Sequence, residues 1–193
     1  LIAAGESSRL KKFIKQLIPW KGQPLIAYIL NVISWSGLSP IHVILGAHSN
    51  QIKPVIEHFP IKIIRNPNWK EGKGTSISLG IQSLPENVSA AMIFVVDQPF
   101  LSTELIHTIL KEYRTNQKVE IIAPFYRKIQ SNPVLFTRKV FPDLIKLQNE
   151  SGGKDVIGKY AVKKIHWHDK RILIDIDTLE DYQAALSCSN LPD

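Results

Sequence analysis

The chain has 193 residues, 44% of them hydrophobic and 21% charged, which is enough for one sizeable core and predicts a single domain over residues 1–193. There is no apolar run that could span a bilayer and no basic-then-apolar leader, and Cys188 is the only cysteine, so we expect no membrane segment, no internal disulfide and a cytoplasmic location. The net charge of +7 lacks the interleaved aromatic residues of a nucleic-acid surface, and therefore favours small anionic ligands.

The opening stretch LIAAGESSRLKKFIKQLIPWK carries the strongest functional pattern of the chain. Leu1 to Ala4 are small and apolar like the end of a buried strand, so we expect that residues precede Leu1, and small residues 5–8 form a turn. Glu6 is the only acid among these residues, whereas the cations are Arg9, Lys11, Lys12, Lys15 and Lys21. A tight turn after a strand exposes backbone N–H groups, and nearby cations make it a seat for phosphate.

Two common phosphate-binding motifs do not fit this turn. A P-loop would close with Gly-Lys-Ser/Thr, and a dinucleotide fingerprint would need three glycines where only Gly5 is present. On charge alone, a solvated basic loop after an edge strand remains the alternative.

Farther along the chain, short apolar strands alternate with helices. The periodicity predicts helices over 24–35, 51–59, 103–113 and 140–147, and strands over 41–45, 61–64, 90–96, 119–125, 130–136, 162–167 and 172–176. Thr75 or Ser76 is the expected cap of a helix that runs to Gln82, and Thr178 with Asp181 forms the capping box of the final helix. This alternation is typical of a parallel α/β sheet with right-handed crossovers.

Three aspartates follow apolar strands. Asp97 ends the most apolar run of the chain, and Asp175 and Asp177 alternate with apolar residues, which places both on one strand face. Ligands of parallel sheets bind at the carboxyl ends of the strands, and carboxylate oxygens suit Mg²⁺. The alternative for Asp97 is a cap or turn before the following helix.

Three further segments combine glycine or proline with polar residues: RNPNWKEGKGTSISLGI, QSNPVLF and ESGGKD. In the first, Gly72 and Gly74 would let the backbone approach a flat ligand closely, unless the segment is a plain loop with a helix cap. The alternatives for the other two are an Asn-Pro turn and a glycine-rich connector.

Taken in order, LxAAGxSxR, a downstream lysine, PWxGxPL, NPxWxxGxGxS, DQP and DIDTLED resemble the MobA-like nucleotidyltransferases, most closely the molybdenum cofactor cytidylyltransferases. The match departs at Lys11, where the family usually has glycine, and at Leu179, where it has proline. The resemblance implies an α/β fold of three layers, α/β/α, with a mainly parallel sheet, Rossmann-like and similar to the nucleotide-diphospho-sugar transferases.

The resemblance also implies the site residues. Arg9 and Lys15 would be catalytic. Asp97 and Asp177 would bind the metal, with Asp175 as their neighbour. Nucleotide contacts would come from Ala3, Ala4, Gly5, Ser7, Arg9, Lys15, Asn66, Gly74, Thr75 and Ser76. Acceptor contacts would come from Asn132, Gly153 and Lys154.

The reaction that the resemblance implies is Mg²⁺-dependent transfer of CMP from CTP to the phosphate of the molybdenum-pterin cofactor, with release of pyrophosphate and a molybdoenzyme as a possible partner. The Ala-Ala-Gly opening at Ala4 goes with CTP users, whereas the guanylyl branch has Ala-Gly-Gly. Two alternatives stay open: a transferase for a sugar or alditol phosphate, and a non-catalytic chaperone that binds the nucleotide or the cofactor.

Overall fold

The computed structural model describes residues 1–10, 13–116 and 118–189. Lys11, where the sequence departs from the family pattern, and Lys12 lie outside these residues. None of the described helices is both long and apolar enough to cross a membrane.

The described elements alternate along the chain as the sequence predicts. The strands are β1 (Ile2–Ala3), β2 (Pro19–Trp20), β3 (Gln23–Pro24), β4 (Ile41–Leu45), β5 (Ile61–Arg65), β6 (Ala90–Ile93), β7 (Ile121–Tyr126), β8 (Ile129–Gln130), β9 (Val134–Thr137) and β10 (Val162–His166). The α-helices are α1 (Leu25–Trp35), α2 (Ser49–Ile56), α3 (Lys73–Gln82), α4 (Thr103–Thr115), α5 (Phe141–Ile145), α6 (Gly153–Ile157) and α7 (Leu179–Ser189).

The central sheet is continuous and mainly parallel. Strands β1, β4 and β5 pair in parallel, and β6, β9, β7 and β10 form a second set. Ile2 joins the two sets, since its N–H donates to the Phe94 carbonyl at 2.9 Å and it pairs in parallel with Val95. The order is therefore β5-β4-β1-β6-β9-β7-β10, in which β9 alone of these described strands runs antiparallel.

Helices cover both faces of this sheet, which gives the expected three-layer α/β/α architecture. Ile121 and Ala123 of β7 pack with residues of α3, α5 and α6, whereas Ile122 between them packs with α4. On that second face, Val43 and Leu45 of β4 lie in one cluster with α1, α2, α4 and α7. The two-residue period of the strands thus divides the core into two apolar layers.

One predicted strand is wrong and a second is interrupted. The segment predicted over 172–176 forms a 3-10 turn at Lys170–Leu173, because the Asp169 carboxylate accepts the Arg171 N–H at 2.9 Å and holds the chain in a local turn. The segment predicted over 130–136 divides into β8 and β9, since Pro133 has no N–H for a ladder and the Ser131 hydroxyl donates to the Ile172 carbonyl.

Of the two predicted helix caps, one is correct and one is wrong. Thr178 and Asp181 do form a capping box, in which the Thr178 N–H donates to Asp181 Oδ2 at 2.8 Å and the Asp181 N–H donates to Thr178 Oγ1 at 3.1 Å. The Thr178 side chain, followed by backbone N–H groups, holds the pKa of Asp181 below its ordinary value. In contrast, α3 begins two residues before Thr75, and Gly72 stands at its cap position, so neither Thr75 nor Ser76 is the cap.

Candidate active site

The glycine turn leaves the carboxyl end of β1 at the middle of the sheet. The Ala4 carbonyl accepts the Ala47 N–H at 3.0 Å, which ties the turn to the end of the neighbouring strand β4. Gly46 makes this approach possible, because a Cβ there would lie 2.6 Å from the Ala4 carbonyl oxygen and 2.5 Å from Trp69 Cβ. The turn therefore emerges where parallel sheets bind their ligands.

Ser7 connects the turn to the lysine that follows it. Its backbone has a left-handed φ of 62°, and its hydroxyl oxygen accepts the Lys15 N–H at 3.0 Å. The side chains of Ala3 and Ala4 are buried, whereas Gly5 is exposed. Of the residues predicted for this part of the nucleotide site, Gly5 therefore offers the freest backbone surface.

Two distant aspartates and two cations meet in front of the turn. Lys15 Nζ lies 2.5 Å from Asp177 Oδ1 and 3.4 Å from Asp97 Oδ2, and an Arg9 guanidinium nitrogen lies 2.8 Å from Asp177 Oδ2. The Asp97 backbone is fixed at the same edge, since its carbonyl accepts the Ile176 N–H at 2.8 Å. Four residues predicted from separate parts of the chain thus form one charged cluster.

Exposure differs across this cluster. The Lys15 side chain is 11% exposed and the Asp97 and Asp177 side chains are 31% and 30% exposed, whereas Arg9 is 68% exposed. Lys15 is therefore held below the surface between partly open carboxylates, and Arg9 reaches over them from solvent.

A third carboxylate stands behind the cluster. Asp175 Oδ1 accepts a hydrogen bond from Gln98 Nε2 at 2.8 Å. Burial raises the pKa of Asp175 above its ordinary value; the Gln98 hydrogen bond opposes this rise, and the negative charges of Asp97 and Asp177 add to it. Asp175 thus neighbours the predicted metal ligands but directs at least one oxygen towards Gln98.

The donor chemistry of Asp97 and Asp177 fits a divalent cation with oxygen ligands. One ammonium contacts both carboxylates, so their oxygens are gathered around a single position of positive charge. Within the described ranges, no group of three or more His, Cys, Asp and Glu side chains is arranged to hold a metal. Two carboxylates are the usual protein share for Mg²⁺ bound together with substrate phosphates.

The predicted base and ribose residues form a hydrogen-bonded unit between β5 and α3. Asn66 Nδ2 donates to Thr75 Oγ1 and to Ser76 Oγ, each at 2.9 Å, and Asn66 Oδ1 accepts the Asn68 N–H at 2.9 Å. Asn66 is only 3% exposed and Ser76 only 1%. The Asn66 and Ser76 side chains thus connect the loop after β5 to helix α3 inside the protein. Of the three residues, only Thr75 is partly exposed to solvent.

Gly72 and Gly74 use their missing side chains differently from the expectation. A Cβ on Gly74 would lie 2.7 Å from the Gln148 carbonyl oxygen, and the Gly74 N–H donates to the Asn149 carbonyl at 2.9 Å. A Cβ on Gly72, whose φ is 112°, would meet the Asn149 backbone at 2.3 Å. The close backbone approach at both glycines is therefore made by the chain itself, not left open for a flat ligand.

The predicted acceptor residues lie in two places. Asn132 follows Ser131, whose hydroxyl lies 3.5 Å from Gln98 Oε1. Asn132 is therefore close to Gln98, the residue that follows Asp97. Gly153 and Lys154 belong to α6, where a Cβ on Gly153 would lie 3.3 Å from the Phe136 ring in the other apolar layer. No hydrogen bond or ion pair joins Lys154 to the charged cluster among the residues that the structure describes.

Sequence reasoning missed Gln16 and assigned no role to Gln98 of the DQP motif, and both side chains hold other site residues in place. Gln16 is 1% exposed and its side chain hydrogen-bonds the backbone of the glycine turn. Gln98 spans Asp175 and Ser131. From the sequence, a glutamine in a basic stretch is expected at the surface, and only the contacts of Gln16 show that it is buried.

Comparison with known protein families and curated proteins gives related sequences. The family model described as the MobA-like NTP transferase domain matches residues 1–165. Nicotine blue oxidoreductase of Paenarthrobacter nicotinovorans is 24% identical over 181 residues, which are 94% of this chain and 86% of the relative. Bifunctional protein GlmU of Geotalea daltonii is 23% identical over 62% of this chain, which spans only 26% of that longer protein.

Solved structures share the fold. Rv0371c from Mycobacterium tuberculosis H37Rv superposes with a TM-score of 0.85 at 21% identity, covering 96% of this chain and 95% of that one. Molybdopterin-guanine dinucleotide biosynthesis protein A from Archaeoglobus fulgidus superposes with a TM-score of 0.71 at 14% identity, covering 98% and 97%. At these identities the likeness establishes the Rossmann-like α/β fold.

Proposed function

Since the chain belongs to the MobA-like NTP transferase family, we propose that this nucleotidyltransferase moves CMP from CTP to the phosphate of a molybdenum-pterin cofactor and releases pyrophosphate. One observation carries the assignment of the site: Lys15 Nζ lies between Asp97 and Asp177, with Arg9 beside them, in front of the glycine turn. Positive side chains for phosphates and carboxylates for a metal are what phosphoryl chemistry needs in one place.

The transfer is an in-line displacement at phosphorus. An oxygen of the acceptor phosphate forms a bond to the α-phosphorus of CTP, the bond from that phosphorus to the bridging oxygen breaks, and pyrophosphate leaves with the electron pair. The protein contributes positioning and charge stabilisation. In this proposal Lys15 and Arg9 stabilise the charge that grows on the β- and γ-phosphates, and the turn from Ala3 to Ser7 seats the triphosphate.

Asp97 and Asp177 are the proposed metal ligands, with Mg²⁺ as the favoured ion. The ion would supply neutralisation of phosphate charge when it is bound. The hydrogen bond from Gln98 would fix the orientation of the Asp175 carboxylate beside these two metal ligands.

The choice of base and acceptor rests on the resemblance. Ala4 stands where the guanylyl branch has glycine, which favours CTP. Asn66 and Ser76 would act from beneath the nucleotide and Thr75 at its surface. Asn132, Gly153 and Lys154 remain the proposed acceptor residues, Asn132 having the best-supported position beside Ser131 and Gln98. A molybdoenzyme that receives the product is the proposed partner.

The first experiment is a thermal-shift panel with CTP, GTP, ATP and UTP, each with Mg²⁺. We expect CTP to give the largest increase in melting temperature, because a ligand that binds only the folded state stabilises it. Pyrophosphate release with CTP and molybdenum-pterin cofactor is the second measurement. Stabilisation by GTP alone would contradict the base assignment, and release only with sugar or alditol phosphates would identify the alternative transferase.

Two outcomes would point to other functions. Binding of CTP with Mg²⁺ but no pyrophosphate release with any acceptor would favour the non-catalytic chaperone. The relative named nicotine blue oxidoreductase favours a second candidate, an oxidoreductase, although Gly5 alone does not make a dinucleotide fingerprint. Oxidation of NADH or NADPH by the purified protein with a dye acceptor, at a rate above that without protein, would support that candidate.

A further inference from the structure

A buried carboxamide lies directly under the glycine turn. Gln16 is 1% exposed, and its Nε2 donates to the Ala3 carbonyl at 3.0 Å and to the Gly5 carbonyl at 3.1 Å. Its Oε1 accepts from the Ser7 hydroxyl at 3.3 Å. The Gln16 side chain thus hydrogen-bonds to every second residue of the turn, Ala3, Gly5 and Ser7, and uses both of its amide protons.

These bonds fix which way the peptide groups of the turn point. In a trans peptide the N–H points opposite to the carbonyl of the same plane. Because the carbonyls of Ala3 and Gly5 point at Gln16, the N–H groups of Ala4 and Glu6 point away from it. Gly5 and Glu6 are exposed, so the Glu6 N–H is directed towards the side from which a ligand approaches.

The same residue also connects the turn with Lys15. Gln16 and Lys15 share the 3-10 turn Lys15–Leu17, and the Ser7 oxygen that donates to Gln16 accepts the Lys15 N–H at 3.0 Å. The backbone of the turn is thereby tied to the backbone of Lys15, whose ammonium lies between the two aspartates. An oriented backbone N–H beside a cation is a favourable partner for an anion.

We propose that Gln16 is a positioning residue that holds the carbonyls of the glycine turn inward and so presents the Glu6 N–H to the triphosphate. This inference rests on the proposed nucleotidyltransferase site, since it assumes that the turn seats phosphate. It adds a residue that touches neither the nucleotide nor the metal, but acts through the turn.

The test replaces Gln16 by methionine, which keeps the length of the side chain and removes its hydrogen bonds. The probe is magnesium tripolyphosphate, measured by titration calorimetry, because it has neither base nor ribose. We expect about tenfold weaker binding by Gln16→Met and a rise in KM for CTP that exceeds the fall in kcat, the loss expected when oriented hydrogen bonds to a charged ligand become disordered.

The matched control is Ser78→Ala. Ser78 is 8% exposed, donates to the Ile145 carbonyl at 2.6 Å and accepts from Gln82 at 2.8 Å, so its removal also breaks buried hydrogen bonds in α3, away from the turn. Both variants should melt at lower temperature, but only Gln16→Met should bind tripolyphosphate more weakly. Equal tripolyphosphate affinity in the two variants would overturn the positioning role and leave the proposed function intact.

Two further measurements apply if Gln16→Met does not fold. Gln16→Glu keeps the volume and the acceptor for Ser7 but loses the amide donors, and should also bind tripolyphosphate more weakly. In the unaltered protein, tripolyphosphate should shift the backbone amide NMR signal of Glu6 while the Gln16 side-chain amide stays protected from exchange. An unshifted Glu6 signal with bound tripolyphosphate would overturn the inference, and absence of any tripolyphosphate or nucleotide binding would overturn the proposed function itself.

Discussion

Replacing Lys15 by methionine should change metal binding and turnover in opposite directions. The ammonium lies 2.5 Å from Asp177 and 3.4 Å from Asp97, and therefore stands where a cation between these carboxylates would stand. A metal ion that binds without nucleotide must first displace it. Methionine has a similar length and no charge, so Lys15→Met removes the competitor and leaves both carboxylates.

The size of the effect follows from the exposure of the pair. Lys15 is 11% exposed but the carboxylates are about one third exposed, at 30% and 31%, so solvent screens part of the attraction. Between the value of a surface ion pair and that of a buried one, we take about 1–2 kcal/mol. Mn²⁺ should therefore bind Lys15→Met about 5- to 30-fold more tightly than it binds the unaltered protein when nucleotide is absent.

Turnover should fall in the same variant. Without the ammonium, charge that develops on the leaving pyrophosphate loses a preorganised partner, and the loss of one such group lowers kcat by about 10²- to 10³-fold. Metal affinity is measured by Mn²⁺ titration followed by electron paramagnetic resonance, and turnover by pyrophosphate release.

The control is Lys139→Met. Lys139 pairs with Glu120 and its side chain is 73% exposed, so its loss should leave both measurements unchanged. If Lys15→Met binds Mn²⁺ no more tightly than the unaltered protein, the ammonium does not occupy the cation position. If its rate of pyrophosphate release is unchanged, Lys15 has no role in the transfer.

Three other substitutions test separate parts of the structure. Asp97→Asn should lower pyrophosphate release by about 10²-fold or more with little change in melting temperature, whereas Asp143→Asn, which removes a carboxylate that pairs with Lys159 in another part of the structure, should have the rate of the unaltered protein; equal rates in the two variants would remove Asp97 from the site. Asp181→Asn should lower stability by about 0.5 kcal/mol at neutral pH. Because the pKa of Asp181 lies below its ordinary value, this difference is present above about pH 4 and disappears as the pH falls through the lowered pKa, so a difference in urea unfolding that persists in acid would contradict the assignment. Gly46→Ala should cost about 1–3 kcal/mol through overlap with backbone and side-chain atoms, while Gly158→Ala, where a Cβ meets nothing within 4 Å, should be neutral in the same unfolding measurement; equal values would show that the close contact at Gly46 relaxes freely.

Local patterns predicted the elements that are stabilised locally. The strand over 41–45 and the helix ending at Trp35 have the predicted bounds within one residue, because each carries a full apolar face. The capping box of Thr178 and Asp181 was also predictable, since it depends on residues three positions apart. The strand predicted over 172–176 failed because the Asp169 carboxylate stabilises a turn that competes with pairing.

Residue types predicted which residues would form the candidate site, but not what each of these residues would contact. Asp97 was identified because it follows the most apolar run of the chain, and the pairing of Ile2 with Val95 places that segment beside the glycine turn. In contrast, Gly74 was expected to face a ligand and instead admits the backbone of residues 148–149. Gln16 gave no signal, because its importance lies in three hydrogen bonds that a sequence does not show.

The sequence by itself determined the α/β alternation, the family and the set of charged residues available for phosphate chemistry. Only the tertiary structure decided that Lys15 meets Asp97 and Asp177, which are 82 and 162 positions away along the chain. The physical reason is that periodicity and capping act over a few residues, whereas this cluster depends on distant pairings. Strand β1 pairs in parallel with the residues that follow β6, and Ile176 in the segment before α7 hydrogen-bonds to the Asp97 carbonyl.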